Sequence, residues 1–310
     1  YKGRKGVDDL TTWAKVAGAG KKLDEQRHRF EDKVEEHLEI DLHQAALQID
    51  YKSKVLASVE AFKTLISDIN TAVTREGSGR ARARVLELGG GDLSVAATRF
   101  VKEEGLLELC VGTIWHLTGE ADARRYLLKD RVDCTEALAQ VLGRPHKAIV
   151  VEHVMGGLSN LCNEPGVTNR VVKLGALNAV IKLTSTVGSS FVSVFRSCAH
   201  LAQRMAEEPG CARVMSARAH EVATAMLRIM LEVDDEAAVC DAASCLSAMC
   251  DGSNRITFGR HPGLTGLSTA LERCARDPGY HGPQAICLCT LVERLASVRE
   301  LRGRLVKLGV

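Results

Sequence analysis

The chain has 310 residues, 45% of them hydrophobic but only 4% aromatic, a mix that suits helices packed by Leu, Val and Ala better than a β-sandwich. Lysine plus arginine number 41 and aspartate plus glutamate 39, a net charge of +2, so charge makes no case for nucleic acid as the main partner. The sequence holds no apolar run long enough to be read as a transmembrane segment.

There is no secretory apolar region near the start, and the sequence opens on Tyr1, so a targeting or lipidation signal ahead of it is not visible. Eleven cysteines, an odd number with no C-x-x-C, sit mostly inside apolar helical patterns, as at Cys110, Cys162, Cys198, Cys245 and Cys287. Thiols so placed read as small reduced hydrophobes, which points to an intracellular protein. The cytoplasm, cytoskeletal and axonemal assemblies included, is favoured, with the mitochondrion as the alternative.

In chain order, residues 1–21 read as a basic N-terminal arm, with Trp13 as a large residue packing on the adjacent helix. Residues 22–75 read as a long helical segment, an N-terminal cap or a helix that grips a partner. Its apolar positions Leu23, Phe30, Val34, Leu38, Leu42, Ala46, Ile49, Val55, Val59, Phe62, Ile66, Ile69 and Val73 advance mainly in steps of three, four and seven. The stretch EDKVEEH reads as a solvated face, and REGSGRARAR (75–84) breaks the helix.

Residues 76–310 form an array. RVVKLGAL (170–177) has a clear earlier copy 86 residues upstream in RVLELGGG (84–91), with a weaker one between them in RYLLKDRV (125–132). Downstream come ARVMSARA (212–219), NRITFGRH (254–261) and RLVKLGV (304–310). The helix ahead of each copy repeats in step: Ile114, Leu158, Ala202, Leu246 and Val292 are equivalent markers spaced by 44, 44, 44 and 46 residues. A period in the low forties with helical patterning indicates a helical repeat array whose units bury their apolar faces only against neighbours. Gly175 is read as a left-handed junction, Leu177, Val180, Ile181 and Thr184 as the buried stripe of the second helix, and Val150, Val154, Leu158 and Leu161 as that of the third.

The run LSNLCNEPGVTNRVVKLGALNAVIKL resembles the armadillo family, with HEAT-like divergence in the weaker units. The match is closest over 148–184 and extends over roughly 55–310, about five to six units. The fold this implies is all-α: a right-handed α-solenoid of armadillo-like three-helix repeats preceded by a long N-terminal helical segment. RLVKLGV stops where another second helix would begin, so the array is expected to be cut mid-repeat, with the C-terminal end continued or covered by a partner.

Catalytic signatures are not found. Cys240, Cys245 and Cys250 drift round a helix and read as core; Cys287 and Cys289 fall on opposite faces. GGGD (89–92) lacks the Gly-Lys-Ser/Thr of a phosphate loop and aligns with the interhelical turn. GRPHK (143–147) and DPGYHGP (277–283) read as loops. No metal and no cofactor are expected, and the chain is read as not an enzyme.

In peptide-carrying armadillo proteins an asparagine ladder on the third helices binds an extended peptide beside a set of tryptophans. Here the asparagine positions are His116, Asn160, Arg204, Ala248 and Arg294, and the tryptophan positions are Thr113, Gly157, Leu201, Cys245 and Leu291, so the ladder is largely lost. Binding of a basic localisation signal is not expected. His116, Asn160, Arg204 and Arg294 are the candidate protein-binding residues, and the arginines suit an acidic segment or helix. The function expected is a non-enzymatic scaffold within a larger intracellular assembly, with a transient linear-motif adaptor or regulator as the alternative.

Overall fold

The computed structural model describes residues 51–75, 79–129, 132–276 and 282–310, with side chains from Glu60 onward. The basic arm with Trp13, residues 22–50 of the long helical segment and most of the DPGYHGP loop lie outside the described residues. The chain divides between Val141 and Leu142 into two compact units.

The first unit carries α1 (Tyr51–Thr74), α2 (Gly79–Glu87), α3 (Gly90–Phe100), α4 (Glu104–Thr118), α5 (Ala121–Leu127) and α6 (Cys134–Leu142, which ends one residue past the division). The second carries α7 (Ala148–Leu161), α8 (Val167–Lys173), α9 (Ala176–Thr186), α10 (Val192–Glu207), α11 (Ala212–Ala217), α12 (Ala219–Glu232), α13 (Glu236–Ala248), α14 (Gly252–Arg260), α15 (Thr265–Arg276), α16 (Gly282–Ala296) and α17 (Arg299–Lys307). Among the described residues there is no strand.

In the first unit α1 lies against α4, and Phe62, Ile66, Ala97, Leu106 and Cys110 make a shared core. Ile66 and Val73, two turns apart on α1, are fully buried, as the periodicity of this segment requires. The break after α1 is shorter than the composition of REGSGRARAR suggests, because α2 already begins at Gly79. Arginine is a good helix former, and Arg82 and Arg84 find partners in Val73 O with Glu120 and in Glu87.

The second unit is built from stacked rows. The third helices α7, α10, α13 and α16 pack in succession, α9, α12 and α15 form a second row, and the short first helices α8, α11, α14 and α17 join them. Val150, Val154, Leu158 and Leu161 are each fully buried along one stripe of α7, and Leu177, Val180 and Thr184 are buried along α9, where Ile181 of the expected stripe is only half-buried. Each buried side chain of this size contributes about 1.5–3 kcal/mol against the unfolded chain, and only because the next repeat covers it.

The junction glycines behave alike. Gly89, Gly175 and Gly309 have φ of 84°, 93° and 75°, each closing a short first helix. A Cβ costs about 1–2 kcal/mol in this region, so glycine is selected there. In the RYLLKDRV unit a described left-handed residue is Asp133, φ 47°, immediately before α6. Asp tolerates this conformation better than other side chains, and its carboxylate accepts from Glu136 N at 3.4 Å. NRITFGRH turns differently: Gly259 is inside α14, and the chain passes through His261 into the 3-10 turn Pro262–Leu264.

Candidate protein-binding face

A helix leaves its last carbonyls without intrahelical partners, and these carry the negative end of the macrodipole. In the second unit arginines from the following repeat reach back to them. Arg204 on α10 donates to Cys162 O at 3.3 Å, past the end of α7. Arg228 on α12 donates to Thr184 O and to Val187 O, at the end of α9. Arg273 on α15 donates to Met230 O in α12, Arg294 on α16 to Ser247 O in α13 at 2.6 Å, and Arg304 on α17 to His261 O at 3.1 Å. A guanidinium presents five donors and cannot lose its charge, so it can satisfy a carbonyl and keep donors for other groups.

Further polar contacts cross the third-helix row. Arg196 on α10 grips the Asp235 carboxylate with Nε at 3.1 Å and with Nη2. This guanidinium holds the Asp235 carboxyl below the usual carboxylate range against the opposing effect of burial, and the Ala238 N–H helps. One residue pair further along, His200 Nδ1 lies 3.1 Å from Asp241 Oδ2. Between α13 and α16 the Ser244 hydroxyl donates to the Cys287 sulfur at 3.7 Å. The row therefore presents Asn160, Arg196, His200, Arg204, Asp241, Ser244 and Arg294, each exposed or half-buried, on helices fixed to one another by side-chain bonds.

The sequence-derived candidates distribute as follows. Asn160 is half-buried in the last turn of α7, and Arg204 bonds two residues beyond it, at Cys162 O. Arg204 also lies 3.6 Å from Glu207 on its own helix. Arg294 is exposed and bonds to Ser247, the neighbour of Ala248. His116 belongs to the first unit, half-buried in the last turn of α4 with its ring 5.1 Å from that of Trp115. The five tryptophan-equivalent positions, Thr113, Gly157, Leu201, Cys245 and Leu291, are all buried.

The cross-repeat pairs were not read from the sequence. Their signal was present as opposite charges about one repeat apart on third helices: Arg196 with Asp235 at 39 residues and His200 with Asp241 at 41. All eleven cysteines are free thiols, eight of them buried. Burial pushes the Cys110, Cys134 and Cys198 thiols up to about 12, which keeps them protonated and unreactive.

No protein-family model and no curated protein matches the sequence. Solved structures do. A designed armadillo repeat protein aligns at 13% identity over 81% of this chain and 97% of its own, with a TM-score of 0.57. Another, in complex with the peptide (KR)4, aligns at 11% identity over 80% of this chain and 96% of its own, TM-score 0.56. A structure concerning the phosphorylation-switched interaction between cadherin and beta-catenin aligns at 14% identity over 86% of this chain and 54% of its own, TM-score 0.59. The chain has an armadillo-like repeat fold.

Proposed function

We propose that this protein is a non-catalytic scaffold that binds other proteins along the third-helix row of residues 142–310, as a structural or adaptor subunit of a larger intracellular assembly. The observation that carries this reading is the row itself: four successive helices, locked by cross-repeat bonds, each offering exposed or half-buried polar side chains. Such a surface is preorganised, so a partner is bound without first ordering the receptor. Asn160, Arg204 and Arg294 are the recognition residues we favour here, and spare guanidinium donors at Arg204 and Arg294 suit an acidic segment or helix. His116 would serve the first unit in the same way. Ile286 on α16 and Val306 on α17 are 71% and 73% exposed, which supports a partner covering that part of the second unit. Free thiols throughout support a reducing compartment, with the cytoplasm ahead of the mitochondrion.

The second reading, a transient adaptor for linear motifs, draws support from the peptide-bound designed protein with the same fold. A native pulldown of the full chain separates the two. Stoichiometric recovery with a stable complex supports the scaffold; micromolar binding of short peptides without such a complex supports the adaptor. In either case Arg204→Glu combined with Arg294→Glu is expected to abolish capture of an acidic partner. Unchanged capture by a folded double variant removes these residues from the site.

A further inference from the structure

Two of the three cysteines that are not buried face one another across a repeat boundary. Cys240 on α13 and Cys287 on α16 are both half-buried, and α13 packs on α16. Cys240 and Ser244 are four residues apart, so they share one face of α13. From that face the Ser244 hydroxyl donates to the Cys287 sulfur at 3.7 Å, and the Cys240 thiol meets the same sulfur. Two donors from one helix thus converge on a sulfur of the next.

We propose that Cys240 and Cys287 form a peroxide-sensitive dithiol that closes into a disulfide joining two successive repeats. The Cys287 sulfur attacks one oxygen of hydrogen peroxide, the O–O bond breaks, and a sulfenic acid and one water form. The Cys240 sulfur then attacks the sulfenic sulfur. The S–S bond forms, the S–O bond breaks, and the departing hydroxide takes the Cys240 proton as a second water. The dithiol loses two electrons and the peroxide gains them. Burial, and next the neighbouring Cys287, push the Cys240 thiol up to about 12, so Cys240 is not the sulfur that meets peroxide first and reacts only with the sulfenic sulfur held against it. Cys289 is exposed on the same helix and serves as the internal comparison, being the more accessible thiol.

The test treats the native full chain with equimolar hydrogen peroxide, blocks remaining thiols with an alkylating agent, and maps the digest by mass spectrometry. The expected result is loss of both the Cys240 and Cys287 thiols to one intramolecular crosslink, reversed by dithiothreitol, while Cys289 remains alkylated. Cys289→Ser retains the crosslink, and Cys240→Ser leaves a Cys287 sulfenic acid that dimedone captures. A digest in which Cys289 is oxidised first, or in which Cys287 proceeds to sulfinic acid with Cys240 still alkylated, overturns the proposal. Because the primary measurement uses the unaltered protein, a variant that fails to fold does not decide it. The outcome is also independent of whether the third-helix row binds a partner.

Discussion

Asp235 serves two neighbours at once. Its Oδ1 accepts from Ala238 N at 2.9 Å as the cap of α13, while the carboxylate receives Arg196 from α10. Asp235→Ala therefore removes a cap and a cross-repeat bond together, and chemical denaturation is expected to read a loss of about 1–2 kcal/mol, most of it from the cap. Asp235→Asn keeps the cap and is expected to fall between the two. His261 is a second residue with a defined state. Its Nδ1 accepts from Gly263 N at 3.0 Å, which leaves Nε2 to carry the proton towards Thr224 Oγ1, also at 3.0 Å. Burial first, then His220 and Arg304, hold this imidazole below its ordinary 6.5. The unfolded chain takes up a proton near 6.5 and the folded chain resists it, so this contribution to stability is complete above 6.5 and is lost as pH falls below it. Melting temperature is expected to decline on going from pH 7.5 to about 5.5. His261→Asn, which retains an acceptor for Gly263, is expected to flatten that decline.

At the scale of helices, close approach separates two glycines that look equivalent in the sequence. A Cβ on Gly266, at the start of α15, would lie 2.2 Å from the backbone oxygen of Leu227 in α12. Backbone cannot yield as a side chain can, so Gly266→Ala is expected to destabilise by about 1–3 kcal/mol. Gly303, inside α17, would meet nothing within 4 Å, and Gly303→Ala is expected to stabilise by about 0.5–1 kcal/mol. Thermal melts of the two variants should move in opposite directions. The helices themselves were largely legible. The stripes on α7 and α9 follow from spacing alone, because a buried helix face must repeat every three to four residues. The junctions were legible where glycine marks them, at Gly89, Gly175 and Gly309. They were not at Asp133 or at His261, where an aspartate bonded to the backbone three residues on and a proline-led 3-10 turn change direction by other chemistry. The contacts of Arg196, His200 and Arg204 were hidden for a different reason. Periodicity reports which face a residue occupies, and it does not report which neighbour a long flexible side chain chooses.

At the scale of the molecule, stability in a repeat array is close to a sum of unit terms and nearest-neighbour terms. In the second unit the arginine-to-carbonyl part of the nearest-neighbour term has a direction. Arg204, Arg228, Arg273, Arg294 and Arg304 all donate from a later helix to a carbonyl of an earlier one. Removing residues 299–310 is therefore expected to do more than delete α17. It strips the Arg304 donor from His261 O and the Leu301 side chain from beside Gly259, so α14 should lose amide exchange protection although its own sequence is intact. Hydrogen exchange on the shortened chain checks this, and unchanged protection in α14 would contradict it. Each module is thus finished by its successor, as a roof tile is held by the course laid over it. Growth or loss of modules by recombination is then not symmetric at the carbonyls: a cut made downstream leaves an upstream neighbour's helix ends bare, whereas one made upstream leaves the survivors' carbonyls with their arginines and costs forward pairs such as Arg196 with Asp235.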